Sequence, residues 1–131
     1  MSGTLAYRFD HVHIYCKDLA ASERWFVEGL GAEVVSRSEG RGTTTVFLNL
    51  GGGRVILRGA YEGEEMLPAG PVRHGTDHLG LEVTDLDATA AELKRRGVRF
   101  VEEPHQFRPG VRISFVEGPD QVRVEILERR P

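Results

Sequence analysis

Two histidines and one glutamate are the first candidates for chemistry in this 131-residue chain. His11 and His78 each follow an aspartate and each open an apolar run, as Asp10-His11-Val12-His13-Ile14 and Asp77-His78-Leu79-Gly80-Leu81. Glu125 lies inside Val122-Arg123-Val124-Glu125-Ile126-Leu127. A carboxylate in such a run is costly to bury unless it is paired, protonated or metal-bound. Two imidazoles and one carboxylate form a set that holds a divalent metal on one face and leaves coordination positions open. The plainer alternative is that Glu125 faces solvent between Val124 and Ile126 and that each histidine is a hydrogen-bonded surface residue. His13 shares a strand face with His11. With a pKa near neutrality it is either an acid–base group or a hydrogen-bonding neighbour of the site. Arg58 offers a bidentate fork to a substrate carboxylate, its alternative being a solvated strand residue. Cys16 points away from the His11 face and is not a nucleophile there. His74 and His105 flank turns and are expected to be exposed, and Lys94-Arg95-Arg96 reads as a solvated helix end that suits the helix dipole.

The elements that must position these residues come twice. At an offset of 67, Asp10 maps onto Asp77, His11 onto His78, Asp18 onto Asp85, Leu19 onto Leu86 and Ala21 onto Ala88. Gly51 and Val55 likewise map onto Gly118 and Val122. This indicates a tandem duplication. In each unit a β-rich run (His11–Cys16, with its counterpart beginning at His78) precedes an aspartate N-cap and a helix. The helices are expected over Leu19–Leu30, stopped by Gly31, and over Asp85–Arg96, stopped by Gly97. Short β-branched runs follow: Ala32–Val35, Thr43–Leu50 and Arg54–Leu57, then Val98–Val101, Arg112–Val116 and Val122–Leu127. Turns are expected at Gly51-Gly52-Gly53 and Gly118-Pro119-Asp120. The expected fold is α+β: tandem βαβββ modules forming one curved, half-barrel-like mixed sheet. The modules span 8–61 and 76–129, joined by a linker over 62–75, within one domain covering 1–131.

Composition narrows the function. Seventeen Lys and Arg against twenty Asp and Glu give a net charge of −3, without the basic face a nucleic-acid binder shows. No apolar run approaches the roughly 18 residues that span a bilayer. The N-terminus lacks a signal-peptide pattern, and the single cysteine excludes an internal disulfide framework, so a cytoplasmic location is expected.

From Phe9 to Glu128 the chain resembles the vicinal oxygen chelate superfamily, which includes glyoxalase I, methylmalonyl-CoA epimerase, extradiol dioxygenases, fosfomycin-resistance thiol transferases and bleomycin-resistance proteins. The resemblance is carried by His11-x6-Asp18-Leu19, by Trp25-Phe26 and Leu30-Gly31, by Asp77-His78 with Asp85, and by Phe115-x3-Pro119-Asp120-x4-Glu125. It implies that His11, His78 and Glu125 are three metal ligands. Glyoxalase I and the epimerase carry a fourth, Glu or Gln, on the last strand of the first unit. The offset of 67 puts Arg58 there, and a slip of one or two positions puts Leu57 or Ile56 there; none of these ligates a metal. Three protein ligands favour a dioxygenase-like centre with Fe(II), Mn, Ni and Zn being the other candidates. The alternatives are a glyoxalase I-like lyase or isomerase, a thiol transferase, and a metal-free antibiotic-binding protein. Phe115 stands where extradiol dioxygenases carry a tyrosine, and with Arg58 it is assigned to substrate binding; His13 is assigned to catalysis. Phe107-Arg108-Pro109-Gly110-Val111 replaces the potassium loop of the fosfomycin enzymes. The resemblance further implies a homodimer whose site takes His11 from one chain and His78 with Glu125 from the other.

Overall fold

Alternation of apolar and polar residues sets the first strand, and an aspartate begins the first helix. In the computed structural model, which describes residues 5–6, 8–70 and 74–131, β1 (Val12–Tyr15) leads to α1 (Leu19–Arg24). The Asp18 carboxylate accepts from the Ala21 N–H at 3.0 Å, capping the helix. α1 continues into a π-helical turn over Trp25–Gly29 and ends at Gly31, whose φ of 81° lies in the left-handed region. Then come β2 (Glu33–Gly40), β3 (Thr43–Leu50) and β4 (Gly53–Arg58). The second module repeats the plan with β5 (Leu79–Glu82), α2 (Leu86–Arg95), β6 (Phe100–Arg108), β7 (Val111–Glu117) and β8 (Arg123–Arg129). Residues 1–4, 7 and 71–73, the last within the expected linker, lie outside the described residues.

Each module makes one open four-stranded mixed sheet, in the orders β1-β4-β3-β2 and β5-β8-β7-β6. The α+β class and the two βαβββ modules are as expected. The hydrogen-bond ladders stay separate among the described residues, and side-chain packing joins the halves. Trp25 packs against the apolar cores of both modules, as do Leu30 and Leu81. Gly118 makes room for it: a Cβ there would stand 2.6 Å from the Trp25 ring. The Lys17 N–H also crosses the joint, donating to the Asp120 carboxylate at 3.1 Å.

Both sheets bury one face beneath their helix. Val12, Ile14, Cys16, Val46, Leu48, Val55 and Leu57 pack with Phe26, while Leu86 and Leu93 of α2 cover Val116, Val124 and Ile126. The period of two along a strand then sends His11, His13 and Tyr15 to the opposite face of the first sheet, and His78 and Glu125 to that of the second. Cys16 points away from the His11 face, as expected, and is buried in the core with Phe26.

The strand register corrects the repeat offset. Val12 pairs with Val55 and Leu79 pairs with Val124. The opening strands therefore correspond at 67 positions, but the closing strands correspond at 69. His13 pairs with Ile56 and its counterpart Gly80 pairs with Glu125, so Ile56, not Arg58, occupies the place equivalent to Glu125. The drift comes from bulges inside β6 and a longer β7–β8 turn, which a constant offset cannot follow.

Candidate functional site

His11 and His78 are prepared in the same way. His78 Nδ1 lies 2.7 Å from the Asp77 carboxylate, and His11 Nδ1 lies 2.7 Å from that of Asp10. An Nδ1–H donated to a carboxylate fixes the ring and leaves the Nε2 lone pair for a proton or a cation, the pattern of metal-bound histidine. The bond to His11, aided by Arg54, holds the Asp10 carboxyl below its ordinary pKa.

His78 and Glu125 meet on the second sheet. Glu125 Oε1 stands 3.3 Å from His78 Nε2, and the Phe115 ring packs edge-on against the imidazole at 5.0 Å. Phe115 pairs with Glu125 across β7 and β8, so the two side chains share that face. Two donors each about 2.0–2.2 Å from one cation would be separated by about 3–3.5 Å at adjacent positions, so this pair fits one edge of a coordination shell.

His11 completes no such cluster within one chain: among the described residues, no three His, Cys, Asp or Glu side chains stand close enough to hold a metal ion. Instead His11, His13 and Tyr15 form a row of rings, each 6.2 Å from the next. Burial lowers the His13 pKa, and the nearby charges of Arg58 and His11 add to the effect. A recess of about 690 Å³ opens at the β3–β4 turn, lined in part by Arg8, Asp10, Asn49 and Arg54, and His11, His13 and Tyr15 do not line it.

Arg58 departs from the alternative of a solvated strand residue. It is neither solvated nor free: it is 5% exposed and pairs with Glu64 at 2.7 Å. Tyr15, Tyr61 and Glu64 around it were not singled out in the sequence. Tyr15 had a signal, being four residues from His11 on the same strand, whereas Tyr61 and Glu64 lie beyond β4 where no periodicity marks them. His74 and His105 are exposed, as expected. At the end of α2, Lys94 pairs with Glu103, and Arg95 and Arg96 pair with Glu92.

Two open sheets, each backed by its own helices and presenting histidines on the uncovered face, define a tandem βαβββ protein of the glyoxalase type. The family model described as "Glyoxalase/Bleomycin resistance protein/Dioxygenase superfamily" matches residues 8–126, and the chain belongs to that superfamily. It is 31% identical over 123 residues to the uncharacterized protein YwkD of Bacillus subtilis (strain 168), covering 91% of this chain and 94% of the relative. A probable lactoylglutathione lyase of Synechocystis sp. is 32% identical over 56 residues, covering 42% of this chain and 43% of that protein. Among solved structures, a glyoxylase/bleomycin resistance protein/dioxygenase domain from Frankia sp. EAN1pec superposes with a TM-score of 0.77 at 26% identity. That match covers 96% of this chain and all of the other. No helix among the described residues is long and apolar enough to cross a membrane.

Proposed function

We propose that this protein is a metal-dependent enzyme acting on a small molecule that presents two adjacent oxygens. The observation that carries the reading is the convergence of His78 Nε2 and Glu125 Oε1 at 3.3 Å, with His78 oriented through Asp77. His11, oriented identically by Asp10, is the third ligand, contributed by a second copy of the chain. A divalent ion held by these three residues would act as a Lewis acid on the oxygen pair. His13, two residues along β1 from His11, accepts the proton released from the substrate carbon. Phe115 packs beside the bound substrate and keeps water from that side, and Arg58 receives an acidic group of the substrate.

This assigns a glyoxalase-type proton transfer, carried out in a cytoplasmic homodimer. The likeness to a probable lactoylglutathione lyase supports it over the dioxygenase-like reading. The second reading, Fe(II)-dependent oxygenation, keeps one specific support: Ile56 at the fourth-ligand place leaves only three protein ligands. Mn, Ni and Zn suit the proton transfer as well as Fe(II) does. Purified protein should carry stoichiometric metal, and Glu125→Gln should lose it. Turnover should be equal in air and under nitrogen. Metal-free wild-type protein would end the enzyme reading, and oxygen-dependent turnover would replace proton transfer with oxygenation.

A further inference from the structure

The geometry points to Arg58 as the seat for a single carboxylate or similar oxyanion, one that Glu64 occupies from within the chain. Its place on the substrate face rests on the function proposed above, but its chemistry stands on its own contacts. The guanidinium carbon lies 3.5 Å from the Tyr61 ring centroid and 4.4 Å from that of Tyr15. Two aromatic rings thus flank the fork and restrict an anion to the outer edge of the guanidinium. Nη1 donates to Glu64 Oε1 at 2.7 Å and to the Gly59 carbonyl at 3.0 Å. Nη2 donates to the Tyr15 hydroxyl at 2.9 Å and to Glu64 Oε2 at 3.4 Å. Nε is buried without a partner. Glu64 therefore fills the fork unevenly, with one short and one long contact, and the cation is not fully satisfied.

Apart from Arg58, the occupant is held by its own turn and one backbone bond to the neighbouring hairpin. Glu64 sits on a turn in which its N–H donates to the Tyr61 carbonyl at 2.9 Å and its Oε1 accepts from the Tyr61 N–H at 2.7 Å. The turn is fastened to the β2–β3 hairpin by the Glu62 N–H, which donates to the Arg41 carbonyl at 2.6 Å. Residues 65–69 beyond it are exposed and lack regular structure. Lifting the turn exchanges its bonds to Arg58 for those of an incoming anion, and the exposed segment beyond it has no strand or helix bonds to lose. If Glu64 leaves, Arg58 remains with Arg41, whose guanidinium lies 4.0 Å from the Tyr61 centroid. The seat is then cationic.

Its position defines a substrate class. Tyr15 pairs with Arg58 and His13 with Ile56, so Arg58 lies two residues along β4 from the residue opposite His13, a rise of about 7 Å. A small acid that places its carboxylate on Arg58 would set its other oxygens near the His11 and His13 row. Glu64 must yield first, so the turn at 61–64 is a strap that the correct acidic ligand displaces.

The test uses metal-stripped full-length protein, with propionate, which reproduces the end of a glutamate side chain, and propionamide as its neutral isostere. Binding is followed by backbone amide NMR. An internal carboxylate competes at an effective concentration in the millimolar range. Glu64→Ala and Glu64→Gln should therefore bind propionate at least tenfold more tightly than wild type, propionamide should not bind, and Arg58→Lys should abolish binding. In wild type, saturating propionate should speed hydrogen exchange at the Tyr61 amide. Equal affinity in wild type and in both Glu64 variants, or equal binding of propionamide, overturns the proposal. The Gln variant keeps the side-chain shape and answers the question should the Ala variant unfold. Metal plays no part in this titration. Propionate selectivity in a protein that never binds metal would refute the enzyme reading alone, and a metalloprotein without that selectivity would refute this one alone.

Discussion

An aspartate immediately before each histidine turns an ordinary imidazole into an oriented donor. Asp77, 82% exposed in its side chain, holds His78 Nδ1 and presents Nε2 beside Glu125. Asp77→Asn keeps the shape and removes the negative acceptor. It should weaken metal binding by about 10–100-fold with the melting temperature unchanged. Unaltered affinity by metal titration would mean that the pairing is incidental. The candidates His11, His78 and Glu125 could be picked out because duplication marks the histidines and a carboxylate in an apolar strand is conspicuous, and the structure brings His78 and Glu125 together. The setting of Arg58 was not legible. Its neighbours come from β1 and from a segment past β4, and no spacing along the chain says that Glu64 will reach it.

Element boundaries were legible where side chains and caps agree. β3 spans Thr43–Leu50 as expected, and α2 begins after its Asp85 cap and stops at Gly97, where φ is 82°. The edge strands run past their apolar cores: β2 extends to Gly40 and β6 to Arg108, their residues largely exposed and paired along one side only. Backbone hydrogen bonds carried these strands further than any hydrophobic pattern indicated. Phe107 and Arg108 accordingly lie in β6, and only Pro109-Gly110 turns the hairpin. Two substitutions test the element packing. Gly118→Ala would drive a methyl group into the Trp25 ring, which packs against both cores, and should cost about 1–3 kcal/mol by chemical denaturation. Stability equal to wild type would show that the joint between modules is loose. Glu128, 1% exposed, accepts the Leu86 N–H at 2.8 Å at the start of α2 and pairs with Arg130. That N–H bond, more than Arg130, holds its carboxyl below the ordinary range against the opposing effect of burial. Because the folded pKa is depressed, its contribution is present above the unfolded value, about 4.3, and is lost as pH falls through the folded one. Glu128→Gln should lower the melting temperature by about 5 °C at pH 7. The gap should close only as pH falls through the depressed folded pKa, where wild type also comes to carry a neutral group. A gap that persists in acid would assign the effect to packing instead of charge.

At the scale of the molecule, duplication explains the fold and accounts for the division of the proposed site. Each module positions its histidine at the entry of its first strand, but only the second carries a carboxylate on its last, since Ile56 holds the corresponding place in the first. One chain therefore offers a two-donor half and a one-donor half, and isologous pairing of two copies would join them into two complete sites. The sequence showed the halves through the repeat, while the meeting proposed for them would depend on a second chain and so on no local pattern. The direct measurement is subunit complementation. His11→Ala and His78→Ala chains are each expected to form dimers without metal. Co-expressed, they give mixed dimers in which one site has lost both histidines and the other is intact. With random pairing, half the dimers are mixed and each has one of two sites, so the pool should recover about a quarter of the wild-type metal and activity. No recovery in the mixed pool, or a single variant that is monomeric or fully metal-loaded on its own, would contradict a centre shared between copies.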